Sequence, residues 1–360
     1  MFNRLAMISL GVLIATGGTN AGDNFKIAFG SCAKEREEQP IWLEIIATNP
    51  DLFLFIGDNQ YADLWMKDGK MVMAPVEDIS RIREAYAELG SKPGYQRLQR
   101  HCPIMATWDD HDFGANDGGR DYPLRKQSQQ AFLDFFGFWD TAPIRQQEGI
   151  YQARTFERGG HAVQVIMLDT RYHRDTLERG KRPGAPGPYI GTTDTSKTVL
   201  GEAQWKWLKK ELLRPADVRI IASSIQVVAD EHGFETWGNF PHERQRLYDL
   251  IDETNASGVL FVSGDRHLME ISRDTGRGAD MKVPYPMWDF TSSGLTQRAQ
   301  AVKERNSYRI GPVRRETNFG VVEIVWGEAG KDTVIHLNGF GDHGQMLTRQ
   351  TVFLNELREE

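Results

Sequence analysis

Only two cysteines, Cys32 and Cys102, occur in 360 residues, which excludes a disulfide scaffold and leaves at most one internal bridge. Beyond the N-terminus no apolar run approaches the roughly 20 residues that a membrane-spanning helix requires, so a mature chain would have no membrane span. Basic charge is in short supply too. Lys and Arg number 43 against 50 Asp and Glu, for a formal net charge of −7, and such a chain has no strong electrostatic footprint for nucleic acid. The sequence also lacks a G-x-S-x-G elbow, a G-x-x-x-x-G-K phosphate loop and an H-E-x-x-H helix, so the chemistries built on those motifs lack their parts. The 35 glycines follow no fixed period, which argues against collagen and repeat folds.

At the N-terminus Arg4 precedes an apolar run from Leu5 to about Ala15, and small residues end in Thr19-Asn20-Ala21. This is the pattern of a secretory signal peptide. It predicts residues 1–21 as the signal, 22–360 as a single domain, and a periplasmic or secreted location; an uncleaved N-terminal anchor is the alternative. Further on, short apolar runs bounded by Gly, Asp and Pro predict strands at Phe25 to Phe29, Leu52 to Ile56, Val163 to Leu168, Arg219 to Ser223, Val259 to Val262, Val321 to Val325 and Val334 to Leu337. Helical spacing is present over Pro40 to Ala47, Arg125 to Trp139 and Glu202 to Leu213. Strands alternating with helices predict an α/β or layered α+β fold. The Pro- and Gly-rich stretch from Arg179 to Lys197 reads as a surface excursion, either beside a site or a plain loop.

Three strand-like runs end in residues suited to metals: Phe29-Gly30-Ser31-Cys32, Ile56-Gly57-Asp58-Asn59-Gln60-Tyr61 and Ser263-Gly264-Asp265-Arg266-His267. Ligands of open sheets bind beyond the carboxyl ends of strands, so three such ends converging would make a site. A fourth segment, from Trp108 through Asp109-Asp110-His111-Asp112 to Asn116-Asp117, crowds four carboxylates and an imidazole into ten residues. Such carboxylates repel one another unless a cation or basic partner neutralises them. Carboxylate oxygens and imidazole suit hard or borderline cations; the bland alternative is a solvated acidic loop.

Taken in order, the GSC after the first strand, GDNQY, WDDHDFGAND, LDTR at Leu168 to Arg171, LGEAQWKWL, TWGNFPHER and SGDRH resemble the PhoD-like (alkaline phosphatase D) family of the binuclear metallophosphoesterases. The resemblance implies a four-layer αββα sandwich with two mixed sheets. It also implies hydrolysis of phosphate monoesters or diesters by hydroxide attacking phosphorus at a binuclear or larger metal centre, with iron(III) and calcium favoured and other divalent metals open. By the same resemblance Asp58 would bridge two metals, Tyr61 would be the phenolate on iron, and Cys32, Asp110, Asp265 and His267 would be further ligands. His111 would be the imidazole facing substrate as general acid, with Asp112 orienting it, and Asn116 and Arg171 would contact phosphate. His232 and Trp237 fall where the family has substrate-side residues. Cys102 is expected to be a buried free thiol, although an oxidising compartment would permit a bridge to Cys32. The implied substrate is a small or polymeric phosphate ester. The rival readings are a dedicated phosphodiesterase acting on teichoic acid, phospholipid or nucleic acid, and a secreted metal-containing binding protein without turnover.

Overall fold

The computed structural model describes residues 24–276, 281–299, 301–327 and 332–358; the signal-peptide expectation therefore lies outside the described residues. The run Leu52–Ile56 is buried along its whole length, as expected of a parallel strand covered on both faces. It pairs in parallel with Phe25–Gly30 on one side and with Ile104–Thr107 on the other. Three antiparallel strands, Asn318–Val325, Val334–Gly341 and Met346–Phe353, extend this sheet to six. The second sheet has seven strands around the parallel set His161–Met167, Val218–Ser223, Val259–Ser263 and Met287–Ser292. Its antiparallel members are Gln152–Arg158, Met269–Asp274 and Arg309–Arg314. Both sheets are mixed.

Side-chain alternation along the strands explains the layering. In the first sheet Ile27, Phe29, Leu52, Leu54 and Ile56 join the core that also contains Val165, Ile220, Phe261 and Phe290 of the second. The rings of Phe29 and Phe290 meet edge to face at 5.0 Å across that interface. Ala28, Phe53 and Phe55 point the other way, into a separate apolar cluster with Trp42, Tyr86, Leu89, Tyr95 and Phe132. Those residues come from the helices Ile41–Ala47, Ser80–Ser91, Pro93–His101 and Arg125–Phe135. Against the outer face of the second sheet lie Gly201–Leu212, through Trp205, Leu208 and Leu212, and Pro241–Glu253, through Leu247 and Ile251. The result is helix, sheet, sheet, helix, the four-layer order expected.

The helix anticipated to reach Trp139 stops at Phe135, because Gly137 turns into the left-handed region and Trp139 is left exposed. The excursion from Arg179 folds back as the short paired strands Glu178–Arg179 and Tyr189–Ile190. No helix among the described residues is long and apolar enough to cross a membrane.

Trp42 is fully buried, with ring contacts to Phe53, Phe55 and Tyr95 at 5.7, 5.7 and 5.4 Å. Trp42→Ala should therefore destabilise the fold by about 3–5 kcal/mol. Urea unfolding measures this, and a loss below about 1 kcal/mol would contradict the packing of this helix layer on the sheet.

Candidate metal centre

All the candidate site segments leave the carboxyl ends of parallel strands, and both sheets contribute. Cys32 follows the first strand, Asp58 to Asp63 the second, and Asp109 to Asp112 the third; Asp265 to His267 follow Val259–Ser263 of the second sheet. Backbone pairing continues past the strand ends: Cys32 N–H donates to Gly57 O at 3.3 Å and Ala33 N–H to Asp58 O at 2.9 Å. Cys32 and Asp58 are thereby held side by side.

Close approach of the loops explains two glycines. A Cβ on Gly57, whose φ is +102°, would lie 2.6 Å from Asp109 Cβ, and one on Gly264 would lie 2.5 Å from Ser31 Oγ. Each glycine immediately precedes a candidate ligand, Asp58 or Asp265. Left-handed backbone recurs at Cys32 (φ 63°), Asp58 (51°), Asp117 (52°), Asp265 (69°) and His267 (55°). Asp and His are among the non-glycine residues that visit this region most readily, whereas Cys does so at a cost. That non-glycine strain gathers where the candidate ligands lie is itself a mark of a functional site.

Three groups of donors converge. Cys32, Asp58 and His267 form one, Asp58, Asp110 and His111 a second, and Asp110, Asp117 and Glu235 a third; within each group the donor atoms lie within 4.8 Å of one another. Asp58 is shared by the first two and Asp110 by the last two. Tyr61 joins the first group, its hydroxyl donating to Asp58 Oδ2 at 3.0 Å, and the Cys32 thiol reaches the same oxygen at 3.3 Å. Asp265 belongs to none of these tight groups, although its charge is felt at Cys32.

The chain neutralises only part of this negative charge. Burial first, then the neighbouring carboxylate of Asp58, pushes the Cys32 thiol well up. Burial likewise raises Asp58, Tyr61 and Asp265, and lifts Asp109 to about 6 and Asp117 to about 7. Asp110 is held low despite burial, by the positive charges of His111 and Arg171 and by the Asp117 amide. His267 is brought down to about 4 by burial and then by the charge of His111. It is thus neutral, as a ligand imidazole must be. A thiol, a phenol and carboxylates that burial raises, beside an imidazole that burial keeps neutral, are a donor set that fits a cation centre. Asp109 Oδ2 is also buried without a hydrogen-bond partner.

The structure corrects the orientation expected for His111. Asp112 turns away from the ring: its Oδ1 accepts the amides of Asp58 at 3.2 Å and Asp109 at 2.6 Å, and its Oδ2 the Asn59 amide and the Tyr86 hydroxyl. Asp63 holds the imidazole instead, its carboxylate oxygens 2.8 and 2.9 Å from His111 Nδ1. The ring also lies against that of Tyr61, with centroids 4.2 Å apart and planes tilted by 35°. Although burial opposes the charged form, Asp110, Asp58 and Asp63 together raise His111 well above the usual imidazole range.

Arg171 is fully buried and directed at carboxylates. It donates from Nε to Asp109 Oδ1 at 2.7 Å and pairs with Glu235 at 2.6 Å, while Arg174 takes the other Glu235 oxygen at 3.0 Å. Asn116 is exposed on the turn after the helix Asp110–Phe113. Trp237 is buried, donating to Ser223 Oγ, and His232 is buried with its Nε2 unpartnered. Both cysteines are free and buried, and burial lifts Cys102 to about 12. Asp63 and Glu235 carried no sequence signal for a place here, because their partners His111, Arg171 and Arg174 lie far along the chain, whereas Asp117 belongs to the acidic segment already singled out. The excursion does approach the site: Tyr189 Oη donates to Asp117 Oδ2 at 2.6 Å.

A family model described as PhoD-like phosphatase matches residues 27–319. Alkaline phosphatase D of Bacillus subtilis (strain 168) is 23% identical over 261 residues, covering 67% of this chain. The chain spans only 43% of that relative's length. Among solved structures, PhoD superposes with a TM-score of 0.69 at 18% identity, covering 94% of this chain and 70% of its own. Purple acid phosphatase PPD1 from yellow lupin gives 0.57 at 12% identity, covering 92% and 54%. GAP50, the anchor in the inner membrane complex of Plasmodium, gives 0.55 at 13% identity, covering 92% and 89%.

If Cys32 is a metal donor, Cys32→Ser should weaken metal binding about 10-fold or more, an effect of the size that losing a supporting contact already has. Cys102→Ser, at the opposite end of the strand Ile104–Thr107 from Asp109 and Asp110, should leave metal content unchanged. Metal analysis of both purified variants checks this, and equal metal content in the two would remove Cys32 from the centre.

Proposed function

The chain belongs to the PhoD-like phosphatase family, and from that premise we propose that it is an exported hydrolase of phosphate monoesters or diesters whose centre holds two or more cations. Iron(III) with calcium is the proposed pair: phenol and thiol donors with carboxylate suit the first, carboxylates the second. The observation that carries the reading is the membership of Asp58 in two donor groups, one with Cys32 and His267 and the other with Asp110 and His111. A carboxylate so placed is suited to serve two cations. Export rests on the pattern of residues 1–21.

In this reading Cys32, Asp58, Tyr61 and His267 hold one cation, and Asp58, Asp110 and Asp265 another. Bound cations would draw charge from the ester oxygens and acidify a water nucleophile. The remaining chemistry belongs to the chain. With Nδ1 fixed by Asp63, His111 would donate a proton to the leaving oxygen from Nε2. Asp63 sets the tautomer, turns the ring and favours the imidazolium. Arg171 keeps Asp109 and Glu235 compensated behind the donors, and exposed Asn116 is left to meet the ester. A binding protein without turnover would have no use for an imidazole fixed in this way. The likeness to an anchor protein shows the fold alone, and a fold does not decide function.

Metal removal by chelation should abolish hydrolysis of both p-nitrophenyl phosphate and bis-p-nitrophenyl phosphate, with the two rates before chelation reporting the ester preference. Asp58→Asn should be far more damaging than Asp68→Asn, since Asp68 is an exposed turn residue. Full activity in chelated protein, or normal turnover by Asp58→Asn, would overturn the shared-carboxylate mechanism.

For His111, general acid catalysis is worth about 10²–10⁴-fold, and more for a basic leaving group. His111→Ala should keep its metals, slow alkyl phosphate esters by that order, and slow p-nitrophenyl esters much less. Asp63→Asn should show the same pattern with a smaller loss. Parallel dependence on leaving-group basicity in wild type and variants would remove the acid role, and lost metal would make His111 a ligand.

A further inference from the structure

Immediately past Cys32 the chain carries a buried carboxylate that no donor group uses. Glu35 is 1% exposed, and its Oε2 accepts the backbone N–H of Tyr61 at 2.8 Å. Its other oxygen pairs with Arg36 Nε at 3.2 Å. The Arg36 guanidinium in turn donates from Nη1 to Leu64 O at 2.8 Å. Two adjacent residues thus grip the two ends of the segment Tyr61 to Leu64, which is itself closed by a turn from Leu64 N–H to Tyr61 O at 3.1 Å.

That short segment carries both faces of the proposed chemistry. Tyr61 points its hydroxyl at Asp58, and Asp63 holds His111. It leaves the second strand through Asp58, whose backbone is left-handed. On the far side Asp112 accepts the Asp58 amide; on the near side Glu35 accepts that of Tyr61. Without Glu35 the buried Tyr61 N–H would lose its acceptor, a penalty the chain avoids by moving the segment or admitting water. A buried carboxylate is costly, and burial raises this one from its ordinary value. Its retention calls for a role that an apolar side chain would not fill.

We propose that Glu35, braced by Arg36, is a positioning residue that sets Tyr61 against Asp58 and, through the same turn, sets Asp63 against His111. This rests on the reading of Tyr61 as a metal donor. The geometry requires an acceptor at position 35 more than it requires a charge. Gln supplies an acceptor of the same reach; Leu supplies only bulk.

The test adds iron(III) to metal-free protein and follows three signals: metal affinity, the absorbance change of a tyrosine that loses its proton on binding, and the thiolate-to-metal absorbance of Cys32. Glu35→Leu should bind metal about 10–100-fold more weakly, the usual cost of removing a contact that orients a ligand. It should also lose the tyrosine signal while retaining the thiolate-to-metal signal of Cys32. Glu35→Gln should restore both to within about threefold of wild type, well inside that range. Arg36→Met, which cuts only the outer brace, should give an intermediate loss and provides the test if Glu35→Leu does not fold. Wild-type behaviour in Glu35→Leu, or in Arg36→Met where that is the folded variant, would overturn the assignment. So would a loss in Glu35→Gln equal to that in Glu35→Leu, or joint loss of the tyrosine and thiolate signals. If the wild-type protein itself gives no tyrosine signal, the failure belongs to the metal reading of Tyr61 and is recognised before any variant is compared.

Discussion

Repulsion among carboxylates at the ends of the two sheets is the constraint on which the rest of this structure depends. The chain answers it residue by residue. Asp109 is met by Arg171 and Ser224, Asp112 by two backbone amides and Asn59, Asp63 by His111, and Glu35 by Arg36 and the Tyr61 amide. Asp58 is the exception. Its strongest donors are the hydroxyl of Tyr61 and the thiol of Cys32, groups that would become negative themselves in binding a metal. Compensation within the protein is therefore weakest at Asp58, which burial raises against the charge of His111, and that deficit marks the place for a cation more specifically than the count of acids does.

The same place stores backbone strain. Left-handed residues cost on the order of 1–3 kcal/mol each when the side chain does not suit that region. Cys32 is the unsuited one among the site positions. The strand ends on either side offset this cost: Cys32 and Ala33 continue the pairing of the first strand onto Gly57 and Asp58, and Leu295 and Thr296 donate to Ser31 and Cys32 carbonyls. Packing two sheets face to face brings both sets of strand ends to one edge. Neither sheet alone would gather Cys32 with His267.

Much of the fold was legible because its central strands are covered on both faces. Leu52–Ile56 matches its sequence-based bounds, and Val259–Ser263 and Val218–Ser223 differ by single residues. The helices Ser80–Ser91 and Pro93–His101 went unread, although Ile82, Tyr86 and Leu89 recur at helical spacing and Pro93 stands at a helix start. Pro241–Glu253 was hidden differently. Its buried face includes Glu243 and Arg244, satisfied by Thr198, Trp205 and Asp230, so polarity there does not mean exposure. At the centre, residues that follow strands within a motif could be read, since strand polarity places them. The partner of His111 could not: Asp112 is its neighbour in sequence, yet the helix turn that makes Asp112 a cap for the loop amides carries its carboxylate away from the ring. Asp63 reaches the imidazole across 48 positions.

Tyr61 and Asp63 lie two residues apart, one facing the donors and the other the imidazole, with the rings of Tyr61 and His111 in tilted contact. A displacement of this segment cannot alter one function and spare the other. The hairpin that follows it, Leu64–Lys67 paired with Lys70–Met73, returns to the same point, where Ala74 N–H donates to Asp63 O at 3.1 Å. The segment is thus fixed at its start by Glu35, at its end by Arg36 and beneath by the returning strand. The rigidity needed to hold an imidazole against its carboxylate comes from a few long-range hydrogen bonds to backbone groups. A family motif marks the groups that would meet the ester, but these backbone contacts decide where those groups stand.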